Sequence, residues 1–586
     1  MKTFQAPDEQ FLFNPSTVDL DEAALRYLSG TWMYLMRTAM LATLPAKELG
    51  EQLSEKFGRP SKELFSMCGL LLIKDYFGWT IDEAVYRYRF DRGLAYALNL
   101  QPGCPMLSNA TVYRYQSFFR EKELGKEAFL RITSMLIKTM EISMKTQRLD
   151  STHVFSKMAR LGRRQTIASV ILNFLRQLKR HCHDLFAELP EELRKRYAGH
   201  EGGVFASTWS MRQQQEDKLD SRLLDDLLFL AKRFAGDERV ANMTSLKHLL
   251  RVAEEQLEEA QDGTAHLKKA PGGKVLVNPS DPDAEISGKK GPGFQAQVMQ
   301  TCGDPEKPNL VTTVVPQGAS VTDGASLEAV LDTAEEKGMT PERLLCDAGY
   351  GAQANMDLAA ERGLQLFSPC TTSAGLASAT KRDAAIDHFE FDKDFKLVKC
   401  ANGCTPLSCN KCESRPGASP QWAVFFRSED CEACPFRDRC RARRRGKRMY
   451  LNYSENQVKN IERRKVEKTS EFKDTYRMRG GIEGLFGSLK QYTALGRLRV
   501  RGHLAVYNQI YSVFAMHNIM HTVSFLIRKY GRKKYRGMME ALARAIRSVF
   551  VAVFGLLKAL LTAFRVFPVP FFGKRQNFGT SEKIAA

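Results

Sequence analysis

The chain lacks several things that would have assigned it to a simple class. Its start, MKTFQAPDEQF, has no apolar core of a secretory signal, and no run of about 18 uncharged apolar residues follows, so secretion and multiple membrane spans are not expected. No Gly-rich nucleotide loop is present, so the chemistry is expected to need no ATP. No internal repeat stands out. Acidic residues are in deficit: 67 Asp+Glu face 87 Lys+Arg, a formal charge of +20 over 586 residues. Outside one segment cysteine is sparse, which argues against a disulfide framework and for an intracellular, cytoplasmic protein.

What is there reads as globular. Hydrophobic residues make up 43% and charged residues 26%, enough for real cores. The length suggests several domains, and the positive excess makes nucleic acid the leading class of partner.

Hydrophobic period divides the chain into seven stretches. Residues 1–145 read as an all-helical N-terminal domain, with GRPSKELFSM as a basic helix start that Ser61 could cap. Residues 146–165 hold a short β-prone segment, QRLDSTHVF, expected to end near Asp150. Long amphipathic helices return over 166–270, a helical insertion broken near Gly199, Gly202 and Gly203. Residues 271–370 alternate strand and helix: FQAQVMQTC and LVTTVVPQ as paired strands, SLEAVLDTAEEKG as a helix, RLLCD as a buried strand ending in Asp347, and LQLFSP as the next strand. Residues 371–450 are cysteine-rich, 451–529 are helical again, and 530–586 form a basic and apolar tail in which Lys558 interrupts the stretch SVFVAVFGLLKALLTAF. A packed or interfacial helix suits that stretch better than a span.

Strand-end carboxylates of an α/β layer lie where such sheets bind ligands, which makes Asp150 and Asp347 candidate acids. A third lies in TYRMRGGIEGLFGSLKQ. There Tyr476, Arg479, Glu483 and Lys490 are spaced by 3, 4 and 7 residues, and on a continuous helix they share one face. Gly480, Gly481, Gly484 and Gly487 cost helix propensity in the same segment, as though another backbone came close. Three carboxylates suit Mg²⁺, and two such ions can activate an attacking oxygen and stabilise a leaving one in phosphodiester displacement.

These residues carry a resemblance. The spacing of Tyr476, Arg479, Glu483 and Lys490 matches the Y-x2-R-x3-E-x6-K motif of bacterial insertion-sequence DDE transposases, and LDSTHVFS and LLCDAGYGA resemble the first and second acidic motifs of that family. The likeness spans roughly residues 24–525 and is strongest over 476–503. It implies an α/β fold, with an RNase H-like mixed-sheet catalytic core joined to a helical N-terminal DNA-binding domain, a helical insertion and a cysteine-rich insertion. It implies catalytic Asp150, Asp347 and Glu483 holding two Mg²⁺ or Mn²⁺ ions, with Asp150 touching both. Tyr476, Arg479 and Lys490 would meet the backbone of the transposon end, and Arg497, Arg499 and Arg501 in GRLRVRG would extend that track. Its partners would be double-stranded transposon ends and target DNA, bound by a homodimer in the nucleoid. Two further acids, Asp281 and Asp283, fall inside the unusually long interval between Asp150 and Asp347; that segment reads as a loop before a strand, with Lys289 and Lys290 as phosphate contacts. A related RNase H-like nuclease, or a co-opted transposase that binds DNA without cutting it, remains open.

Seven of the 13 cysteines lie between Cys400 and Cys440. Cys431, Cys434 and Cys440 form C-x2-C-x5-C and need one more thiolate for a tetrahedral structural zinc; Cys400 is the choice, with Cys404 close behind and Cys409 and Cys412 forming another C-x2-C. An iron-sulfur cluster is the rival use. The following RARRRGKR would contact phosphates. Neither Cys182 nor Cys346 reads as a nucleophile, and His153 reads as a strand or turn residue.

Overall fold

The computed structural model describes residue 2 and residues 20–566, except 56, 59, 101–105, 159, 199–212, 260–264, 270–271, 371–385 and 413–419. The expected breaks at Pro102, Gly103 and Pro105 and at Gly199, Gly202 and Gly203, and the end of the tail, lie outside the described residues.

The N-terminal region is helical as its period requires. Helix α1 (Leu64–Phe77) is buried along almost its whole length. Its cap is Glu63, whose carboxylate accepts from the amides of Phe65 and Ser66, and not Ser61 as the sequence suggested. It ends on Gly78 at φ 66°, a left-handed turn that favours glycine, and Ala494 lies against that turn. Helices α2 (Ile81–Phe90), α3 (Asn109–Glu121) and α4 (Leu124–Met140) belong to the same layer, with shorter helices around them.

Five strands form the central sheet: β1 (Thr146–Phe155), β2 (Gly291–Thr301), β3 (Val311–Gly318), β4 (Arg343–Leu345) and β5 (Gln365–Phe367). They lie in the order β3-β2-β1-β4-β5, with the short strand Glu285–Ser287 beside the start of β2. β1 is antiparallel to β2 and parallel to β4, so the sheet changes sense at β1. A mixed sheet flanked by helices is compatible with the RNase H-like core expected from the sequence.

Alternation along the strands sends successive side chains to opposite faces. Leu149 and Met299 pack against α5 (Leu327–Glu336) and α6 (Gln353–Glu361). Val154, Phe294, Ala296 and Val298 pack on the other face, in one apolar cluster with the N-terminal helices and with α7 (Gly481–Tyr492) and α8 (His503–Val566). Helix α8 is interrupted at Gly531, and its first part threads between sheet and N-terminal helices, with Val513, Phe514 and Met516 fully buried. That part is long and apolar enough to cross a membrane, but most of it is buried inside the protein. Asn518 joins the layers: its side chain bonds to the N–H and C=O of Val311 at the start of β3 and to Thr133 of α4. Gly125 of α4 lies so close to α8 that an added Cβ would meet the carbonyl oxygen of Asn508 at 2.6 Å.

The helical insertion between β1 and β2 has an apolar cluster of its own, running from Ile167 to Leu276. The cysteine-rich segment has another, built on the antiparallel strands Ser408–Cys412, Gln421–Arg427, Arg443–Arg445 and Arg448–Ser454 and the helix Glu455–Glu467.

Candidate active site

Asp150 does not close its strand. It sits in the middle of β1, opposite Val298 of β2, and β1 continues to Phe155. Asp347 does follow its strand directly, and register brings the two together. Thr146 pairs with Arg343 and Arg148 with Leu345, an offset of 197 residues, which is also 347 − 150. Extending that register past the end of β4 places Asp347 level with Asp150. β4 stops two residues earlier, so a crevice opens beside the free edge of β1, at the point where the sheet changes sense.

Burial, with Asp347 and Asp323 adding repulsion, raises the Asp150 carboxyl above the ordinary carboxylate range against the pull of Arg479. The amide of Ser151 donates to Asp150 Oδ1 at 2.8 Å, and that of Gly349 donates to Asp347 Oδ1 at 2.8 Å. Asp323, in the loop after β3, was not singled out by sequence. It is held by Gln295 Nε2 at 2.6 Å and Gln297 Nε2 at 3.3 Å, and no motif surrounds it.

The segment carrying the third acid is not one helix. Tyr476 belongs to a helix over Ser470–Arg477, Arg479 to a 3-10 turn over Met478–Gly480, and Glu483 and Lys490 to α7. Gly481 explains the turn's position. Arg148 of β1 donates to the carbonyl of Met478 at 2.8 Å and to Gln300 Oε1 at 2.6 and 3.0 Å, and a Cβ on Gly481 would stand 2.0 Å from its guanidinium. The close neighbour at Gly481 is thus a side chain, that of Arg148, and not another backbone as the glycines suggested. At Gly480, Gly484 and Gly487 an added Cβ would meet nothing within 4 Å.

Thus docked, the turn before α7 presents Arg479 to both Asp150 and Glu483. Its guanidinium donates to Asp150 at 2.8 Å and to Glu483 at 3.0 Å. Although burial works against the charge, Asp150 and its neighbours hold Arg479 above its ordinary value. Tyr476 stacks on Phe472, and burial raises its hydroxyl. Among the described residues no three His, Cys, Asp or Glu side chains are gathered closely enough to hold a metal ion. Arg479 stands where a cation between Asp150 and Glu483 would stand. The donor set itself is the all-oxygen kind that Mg²⁺ prefers, and the repulsion between Asp150 and its acidic neighbours is what a divalent cation would relieve.

Lys490, the exposed Lys289 and Lys290 of the turn before β2, and the exposed Arg497, Arg499 and Arg501 form basic surroundings. Lys290 and Lys490 both act on His153, whose imidazole is pushed down to about 4 by burial first and these cations second; it is a neutral residue of β1. The alternation RLRVR buries Leu498 and turns the three arginines outward. Asp281 and Asp283 stand apart from this chemistry. Asp281 is fully buried and accepts from Ser156 and the amide of Gly502, while Asp283 accepts from the amide and ring of His503 at 2.9 Å. Both fasten the end of the arginine segment.

In the cysteine-rich segment, Cys400, Cys404, Cys431, Cys434 and Cys440 line one cavity of about 30 Å³. Burial, reinforced by the neighbouring sulfurs, pushes the Cys431 thiol up to about 11. Cys409 and Cys412 are elsewhere: they lie on a strand, where residues three apart face opposite ways, with Cys409 buried against Tyr453 and Cys412 exposed. Cys346 is fully buried beside Asp347, and burial first, then Asp347 and Asp150, push its thiol well up.

No curated protein matches the chain. A family model described as Transposase DDE domain matches residues 399–523, a span that holds the cysteine cavity, Tyr476, Arg479, Glu483, Lys490 and the three arginines, while Asp150 and Asp347 lie before it. Over those residues, about a fifth of the chain, the match supports a DDE transposase family.

Proposed function

We propose that this protein is an insertion-sequence transposase that binds the terminal inverted repeats of its own element, hydrolyses phosphodiester bonds there and joins the freed 3′-hydroxyls to target DNA. The observation that carries this reading is the register that sets Asp347 beside Asp150, with Arg479 linking Asp150 to Glu483.

Asp150, Asp347 and Glu483 would hold two Mg²⁺ or Mn²⁺ ions, which when bound supply an activated attacking oxygen and charge stabilisation at the leaving one. The chain's own residues do the rest. Arg479 neutralises Asp150 and Glu483 in the free protein and is positioned to turn to a DNA phosphate, for which a planar guanidinium is suited. Tyr476, Lys490, Lys289 and Lys290 would fix the backbone of the end. Arg497, Arg499 and Arg501 continue the track without reading bases. Hydrolysis and strand transfer share one site because both displace an oxygen at phosphorus. Two ends must meet, so two copies of the chain would act together, and the direct displacement requires no ATP. A structural zinc would be held by Cys431, Cys434 and Cys440 with Cys400, Cys404 being the alternative fourth sulfur at the same cavity; four thiolates are a donor set that zinc takes, although in the structure no three of these sulfurs are gathered closely enough to hold an ion.

The test is excision. The gene's own flanking sequences are placed around a marker, and wild type or Glu483→Gln is supplied. Precise junctions with wild type alone are the expected result. Equal junction formation by Glu483→Gln would remove Glu483 from the site.

A further inference from the structure

A cavity of about 920 Å³ is lined by none of Asp150, Asp347 and Glu483. It opens where the N-terminal helices meet the end of β1 and the arginine segment, and among the described residues no Asp or Glu lines it. β1 runs five residues from Asp150 to Phe155 at the cavity wall, about 17 Å along an extended strand. A polymer lying in the acidic crevice could therefore reach it.

Three features describe what the cavity would hold. Its floor carries excess positive charge: Lys74 is buried with Asp75 at 3.2 Å, and Arg120 lies beside it, so two cations face one carboxylate. The amide oxygen of Gln116, oriented toward them, would accept from both at 2.9 Å. One wall is the row Arg497, Arg499 and Arg501, steadied by Lys157, whose ammonium reaches the carbonyl of Arg499. Among the described residues none of the three arginines has a carboxylate at ion-pair distance.

The third feature is aromatic. Tyr113 and Phe155 line the cavity and are 62% and 53% exposed. Trp79 is also there, but its ring is already stacked on Phe77 at 5.2 Å and covered by Arg87 at 4.6 Å. Large exposed rings beside unpaired cations suit a ligand with flat faces and anionic links. A volume within the range of about 300–1,000 Å³ encloses a few such units. It does not enclose a duplex, whose major groove alone is about 12 Å wide.

We propose that this cavity binds an unpaired segment of DNA strand, with bases stacked on Tyr113 and Phe155 and phosphates on the arginine row and the Lys74–Arg120 floor. The choice of DNA rests on the transposase reading; the unpaired strand rests on the rings and the shape. Stacking on aromatic side chains tolerates any base, so the cavity would hold a strand without reading its sequence.

The experiment uses the full chain and fluorescence anisotropy with labelled oligo(dT), a blunt duplex of equal length, and polyglutamate as competitor. Wild type is expected to bind oligo(dT). Tyr113→Ala and Phe155→Ala are each expected to weaken that binding about tenfold while leaving the blunt duplex nearly unchanged, and Tyr113→Phe to restore it. Both side chains are exposed, and unchanged urea midpoints would show that the variants fold. Alanine variants that bind oligo(dT) as wild type does would overturn the proposal. So would polyglutamate displacing oligo(dT) equally well from wild type and variants, which would mark the cavity as a site for an acidic protein segment. Failure of this proposal alone would leave metal-dependent excision intact, whereas ring-dependent oligo(dT) binding without excision would retain the cavity and sink the transposase reading.

Discussion

The acidic crevice and the cysteine cavity are built in opposite ways. The crevice draws on β1, the end of β4 and α7, segments separated by as many as 333 residues (483 − 150), and its groups are held by partners from elsewhere in the fold. The cysteine cavity takes its five cysteines from one 41-residue stretch, in a segment that packs its own small core. In the crevice, carboxylates are balanced by a guanidinium already in place. In the cavity, thiols sit against one another with their charged form disfavoured. A site assembled from distant segments is expected to be sensitive to the docking of those segments, and a local one to what occupies it.

The largest effect that would test this contrast is at Glu483. Glu483→Gln should lower cleavage by about a hundredfold or more while end binding and the urea midpoint stay near wild type, because the side chain is exposed and only its charge changes. Equal loss of binding and cleavage would instead make it a structural residue. Next comes occupation of the cysteine cavity. Elemental analysis of the purified chain should give about one zinc, and a chelator should lower its thermal midpoint. Iron in place of zinc, or a midpoint indifferent to chelation, would refute the local site. In chelator-treated protein, alkylation of Cys431 should stay slow until the pH approaches about 11.

Docking of α7 is probed at Arg148. Arg148→Ala strands the carbonyl of Met478 and Gln300 Oε1, and should cost about 1–3 kcal/mol of stability in urea unfolding. A smaller loss would mean that the turn at Gly481 is held by apolar packing alone. A pH effect follows from His153, whose folded value of about 4 lies below the ordinary 6.5. The unfolded chain takes up a proton first as pH falls, so stability is full above about 6.5 and declines toward pH 4, leveling below that. His517, pushed down to about 3 by burial, and His521, to about 4, add to the same trend. Replacing His153 with Gln should therefore flatten only part of the decline, and an unaltered profile would show that His153 is not buried uncharged. The smallest effect is at the arginine row: Arg499→Ala should reduce the slope of log binding constant against log salt by about one. An unchanged slope would remove it from the phosphate contacts.

Much of the fold was legible because it depends on local period. The paired strands, the helix stopped at Gly338 and the strand before Asp347 follow from alternation and turn residues within a few positions of one another. Glu483 was singled out by the spacing of Tyr476, Arg479 and Lys490 around it, and Asp347 by the strand before it. Other features were not. Ser61 was the plausible cap by residue type, yet Glu63 has the position from which a carboxylate reaches two amides. The four residues Tyr476 to Lys490 share a face only on a continuous helix, and Arg148, far away in sequence, breaks that continuity. Cys409 and Cys412 match a metal spacing that works at a turn and fails on a strand.

The sequence by itself determined which residue types this protein has to offer: a basic surface, three acids in recognisable surroundings, a row of alternating arginines and a local set of thiols. Covalent spacing and hydrophobic period are enough for that. Only the tertiary structure decided that Asp347 stands level with Asp150, that Arg479 lies between Asp150 and Glu483, that Asp281 and Asp283 are fasteners, and that Tyr113 and Phe155 wall one cavity. Those juxtapositions depend on strand register and helix docking, which are set by burying whole faces at once, and no window of neighbouring residues contains that information.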